Sequence, residues 1–126
     1  TNLGMNECAR IPREQHKKEM ADMITKAKKS GAIVILHATN TVFTEHGHAK
    51  KLPPFIEAVR ELAKEHDVML VDHYKMFTEQ KQGAETRTWF ADAIHPNGLG
   101  HAHMAAEMFR VIGIYDETSD TCKLAR

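Results

Sequence analysis

The chain has 126 residues, and its 17 Lys plus Arg balance 17 Asp plus Glu. That length allows one domain around one core. The zero formal charge argues against a nucleic-acid or membrane-surface role driven by net charge. No apolar run approaches the ~20 residues needed to span a bilayer. No signal peptide is visible, but residue 1 is Thr rather than Met, so the natural N-terminus is expected to lie upstream. Cys8 and Cys122 lie near opposite ends and form no metal or redox motif. The compartment stays open, whether secreted, periplasmic or cytoplasmic.

In chain order, Thr1–Glu7 reads as the last residues of a strand running into a Gly-led loop. A helix follows from Pro12, since proline suits the first helical position. Met20, Met23, Ile24 and Ala27 give it a 3–4 spacing,. Lys26, Lys28 and Lys29 suit its C-terminal dipole, and Ser30-Gly31 ends it,. Ala32–Leu36 is a continuous apolar run, the pattern of a strand buried on both faces,. The loop from His37 to Leu52 is polar. Pro53-Pro54 opens a second helix with Phe55, Ile56, Val59, Leu62 and Ala63 on one face, and Val68–Val71 reads as a second buried strand.

From Asp72 to Ala91 the pattern is weak, with a short helix expected around Tyr74–Gln80. The turn Asp92-Ala93-Ile94-His95-Pro96-Asn97-Gly98-Leu99-Gly100-His101 comes next. A third helix, with an amphipathic run from Met104, follows to about Ile114. Met20, Met23, Met104 and Met108 are expected to fill the core. Residues 115–126 read as a polar, frayed tail. Strands alternating with helices imply parallel strands and right-handed crossovers, an α/β layer fold. Functional residues in such sheets gather beyond the carboxyl ends of strands, where both Gly4–Glu7 and the Asp92 turn fall.

An aspartate three residues before a histidine can hold one ring nitrogen while the other acts as a base. Here the pair sits in a Pro-Asn-Gly turn,. Gly4-Met5-Asn6-Glu7 resembles the Gly-x-Asn-Asp block of the SGNH (GDSL-type) ester hydrolases, with Glu in the last place. Asp92-Ala93-Ile94-His95-Pro96-Asn97 resembles their C-terminal Asp-x-x-His block. The resemblance implies a three-layer α/β/α, flavodoxin-like fold over residues 1–114, with the N-terminal strands missing from this chain. It further implies that His95 is the general base, that Asp92 orients it, and that Asn6 donates to the oxyanion, with Gly4 turning the backbone so that Asn6 points inward. His37, Asn40, Trp89 and His101 become candidate pocket or supporting residues. Trp89 and Phe90 are expected to support the Asp92–His95 loop.

The family's Gly-Asp-Ser and Gly oxyanion blocks precede Gly-x-Asn and would lie upstream of Thr1. Ser30 and Ser119 are in no such context, and nothing places Cys8 against His95. No nucleophile is therefore assigned in this chain. The reaction implied is hydrolysis of a carboxylic ester, an acetyl or short-acyl group, through an acyl-serine and without a cofactor. The partner implied is a small-molecule ester or an acetylated carbohydrate. A βαβ unit takes ~30 residues, so a five-strand sheet needs about 150 or more. The chain is expected to be a fragment, one piece of a nicked protein, or a truncated product, and to associate with the missing segment or with itself through the exposed sheet edge. A non-catalytic carbohydrate- or protein-binding module on the same scaffold is the alternative. His46-Gly47-His48 and His101-Ala102-His103 raise zinc, but helical neighbours two apart diverge and zinc needs three or four converging ligands. Surface histidines are the preferred reading.

Overall fold

The computed structural model describes residues 3–79 and 84–123. One turn of 3-10 helix, Glu7–Ala9, leads into α1 (Arg13–Lys29), β1 (Ile35–Ala38), α2 (Leu52–Glu65) and β2 (Met69–Asp72). Then follow α3 (His73–Glu79), α4 (Ala84–Arg87), α5 (Gly98–Val111) and α6 (Asp120–Lys123). β1 and β2 pair in parallel, with Leu36 opposite Leu70 and His37 opposite Val71. Alternation along a strand puts the first pair on one face and the second on the other.

The Leu36 face carries the core. Leu36, Ala38, Met20, Ile24, Leu52, Ile56, Val59 and Leu62 are all buried in one cluster with α1 and α2. Salt bridges tie these two helices along their outer edge, from Arg13 to Glu61 and from Lys17 to Glu61 and Glu65. The His37 face looks toward α5, which packs on β2. Helices thus lie on both faces of a sheet that has two strands among the described residues, the three layers the resemblance implies.

Helix ends follow local chemistry. Gly31 takes φ +81° and Gly113 φ +77°, the left-handed conformation glycine enters without a Cβ penalty. After each, a backbone N–H reaches back to close the helix: Ala32 to the Ala27 carbonyl, and Ile114 to that of Phe109,. α2 ends the same way, with Asp67 at φ 49° and the Val68 N–H on the Ala63 carbonyl.

Several sequence expectations shift. The strand expected over Ala32–Leu36 forms at Ile35–Ala38, because residues 32–34 are still leaving the α1 cap. It is not buried on both faces: Leu36 and Ala38 are buried while Ile35 and His37 on the other face are only partly so, and in β2 Met69 is 37% exposed. Met23 is 47% exposed rather than core; the buried stripe of α1 is His16, Met20 and Ile24. The third helix begins at Gly98 and ends at Val111. The expected strand end at Thr1-Asn2 lies outside the described residues, and from Leu3 onward the segment is bend and turn. Within 115–126, Asp120–Lys123 is helical, packs on α5 and buries Cys122, so this part is docked rather than frayed.

Between the sheet and α5, His37 Nδ1 and His73 Nε2 share a 2.9 Å hydrogen bond. Burial pushes both rings below their ordinary pKa; His73, with His37 adding to the effect, falls to about 4. An unfolded histidine titrates near ~6.5, so from there down to about 4 the unfolded chain binds more protons than the folded one. Stability is then complete above that range and is lost as pH falls through it. The melting temperature should drop from pH 7 to 4.5, a loss on the order of 2 kcal/mol, and His73→Leu should flatten the slope. A wild-type profile that is flat over this window would contradict the account.

Candidate active site

The Asp92 turn is built from its own hydrogen bonds. Asp92 Oδ1 accepts the backbone N–H groups of Ile94 and His95 at 2.9 and 2.8 Å. Asp92 Oδ2 lies 2.8 Å from His95 Nδ1. A carboxylate accepts only, so neutral His95 carries its proton on Nδ1 here and leaves Nε2 with a free lone pair. The hydrogen bond from the His95 ring, followed by the His95 and Ile94 N–H groups, lowers the Asp92 pKa to about 2. Asp92 is therefore a carboxylate at neutral pH. Both side chains are open to solvent, His95 at 73% and Asp92 at 55%.

Below the turn lies an aromatic floor. Phe90 is buried, bridges to Pro96 and packs edge-on against Phe43 and Phe77. Trp89 stacks on His103 at 3.8 Å, and its carbonyl accepts the Asn97 N–H at 2.9 Å. Both residues thus contact the segment that carries the turn. Asn97 caps α5 by accepting from Leu99 and Gly100, while its amide donates to the Thr88 and Phe90 carbonyls. This cap is why α5 starts among glycines, and an Asn just before a Gly-x-Gly run was the available signal.

On the other side, Gly4 adopts φ +128°, a conformation that effectively requires glycine. Its N–H donates to Glu7 Oε2 at 2.7 Å. Burial raises the Glu7 pKa, but the Gly4 N–H, the Glu7 N–H and the nearby His16 and Arg10 together outweigh it and hold the carboxyl below its usual range. Glu7, given no part by the sequence reading, is the clasp of this turn. Asn6 is exposed at the start of the 3-10 turn, and its side chain makes no capping bond. Met5 and Ile94, neighbours of Asn6 and His95, pack against the same core cluster.

The remaining candidates separate. His37 and His101 line a cleft of about 470 Å³ with His73, Met104, Ala105, Met108 and Phe109. Asn40 is buried and bonded to the Asp92 turn instead. His103 turns to Trp89 while His101 turns to the cleft, and among the described residues no three His, Cys, Asp or Glu converge as metal ligands. Ser30 Oγ donates to the Ala27 carbonyl at the end of α1, and Ser119 Oγ to that of Asp116 before α6. Burial pushes the Cys8 thiol up, and it donates to the Met5 carbonyl, the reverse of an activated thiolate. No described helix is long and apolar enough to cross a membrane.

Two solved structures share this parallel α/β arrangement. LAE5, an alpha/beta hydrolase enzyme from the metagenome of Lake Arreo, Spain, superposes with a TM-score of 0.73 at 18% identity, over 91% of this chain and 59% of its own. A GDSL-like lipase structure from Parabacteroides merdae gives 0.72 at 18% identity, over 83% of this chain and 51% of its own. The chain thus spans between half and three-fifths of the length of these two. The sequence pattern of the GDSL-like lipase/acylhydrolase family matches residues 1–103. The chain belongs to that family, the SGNH-type ester hydrolases. No curated protein matches it.

A Cβ added at Gly100 would sit 2.3 Å from the Trp89 carbonyl oxygen and 3.0 Å from Pro96 Cβ. Backbone must move, and that carbonyl holds the Asn97 N–H. Gly100→Ala should cost about 1–3 kcal/mol in chemical denaturation. Gly98→Ala, with nothing within 4 Å of the added carbon, should stay near wild type. Equal effects at the two positions would contradict this packing.

Proposed function

We propose that this chain carries the base, its orienting acid and one oxyanion donor of a serine ester hydrolase. The supporting observation is the 2.8 Å contact between His95 Nδ1 and Asp92 Oδ2, which leaves Nε2 free. In the reading, Nε2 removes the proton from a serine hydroxyl as its oxygen attacks the ester carbonyl. The Asn6 amide donates to the oxyanion of the tetrahedral intermediate. Collapse breaks the ester C–O bond, and His95 returns the proton to the departing alkoxide. Water then cleaves the acyl-serine by the same steps. Asp92 stabilises the imidazolium formed each time. The substrate class is a carboxylic ester with an acetyl or short acyl group, including acetylated carbohydrate.

The nucleophile is assigned to a Gly-Asp-Ser segment outside these 126 residues. Both serines here are engaged at helix ends. Such a segment should lie about 50–90 residues upstream, two to three βα units. The purified 126-residue chain should therefore show no organophosphate-sensitive turnover of p-nitrophenyl acetate. Robust turnover abolished by the reagent would overturn the assignment; slow, insensitive turnover is ordinary imidazole chemistry. In the form that contains the upstream segment, Asn6→Ala should lower kcat by about 10²–10³.

A further inference from the structure

We infer that Asn40 is the positioning residue that holds the Asp92–His95 pair in its working geometry; this rests on the reading of His95 as the base. A catalytic pair is commonly fixed by burial, and this one is not, with its two side chains 73% and 55% exposed. Its geometry depends on what holds the two residues between acid and base. Both are held by the loop that leaves β1. The Ile94 carbonyl accepts Asn40 Nδ2 at 2.9 Å, and the Ala93 carbonyl accepts the Phe43 N–H at 2.9 Å.

Asn40 is built for the task. It is 5% exposed and stands two residues past Ala38, the fully buried end of β1. Its second amide hydrogen goes to the Thr41 carbonyl at 2.7 Å, and its Oδ1 accepts from Thr39 Oγ1. Two carbonyls on the nitrogen and one hydroxyl on the oxygen fix the orientation of the amide. Above it, the Asp92 carboxylate takes the N–H groups of Ile94 and His95. The Ile94 backbone is thus gripped on its carbonyl by Asn40 and on its N–H by Asp92. With the grip in place, Nδ1 of His95 is presented to Asp92. Without it, a solvent-exposed pair has a soft hinge at Ile94.

The prediction is read on the His95 ring, by imidazole ¹⁵N NMR of the whole chain above the histidine titration range. The wild type should show the Nδ1–H tautomer, and Asp92→Asn, which weakens the acceptor, should reduce it. Asn40→Ala should shift His95 toward the mixture of tautomers seen for a free imidazole while circular dichroism stays native. Asn40→Asp keeps the shape and loses the donor, so it should shift His95 the same way; it also serves if the alanine variant fails to fold. A His95 signal unchanged in a folded Asn40 variant, while Asp92→Asn alters it, overturns the positioning role alone. A signal that Asp92→Asn also leaves unchanged overturns the base reading with it.

Discussion

One carboxylate accepts three donors: the N–H groups of Ile94 and His95 on one oxygen, and the His95 ring on the other. These bonds are charge-assisted, the stronger kind, and they close a turn of four residues. Three neighbouring features present that turn or brace it. Proline and the Asn97 cap start α5 directly behind it. The Phe90 and Trp89 floor lies beneath it, and the loop from β1 ties its two middle carbonyls. The arrangement is held by directed hydrogen bonds rather than by burial, so its precision depends on each bracing group keeping its partner.

The sequence was most legible where chemistry is local. Pro12, the lysine run and Ser30-Gly31 marked α1 within a residue or two. The apolar face from Phe55 to Ala63 marked α2. Asp92 and His95 could be paired on spacing alone, because three residues in a turn return a side chain to its own backbone. Strand burial was less legible. Ile33 and Met69 belong to apolar runs yet stand exposed, because burial depends on what the fold packs against a residue, and no local pattern records that. The same holds for Met23, whose spacing is helical but whose position falls outside the stripe that α2 covers.

Long-range polar partners were the least legible. Asn40 reads as a candidate pocket residue in a polar loop, and only the fold brings it to Ile94, 54 residues on. His73 follows a strand and gives no sign that it will be buried against His37. Glu7 stands where the resembled block has aspartate, and its longer side chain carries the carboxylate to the Gly4 N–H, a contact the spacing alone did not announce.

The central claim is that Asp92 acts only through His95. In a form extended upstream to include the proposed serine, this is tested by kcat/KM for His95→Ala, Asp92→Ala and the double variant. Residues acting as one unit are not additive, so the double variant should be no slower than His95→Ala alone. A double variant slower by the product of the two single effects would show that Asp92 works independently of the histidine, and would contradict the account.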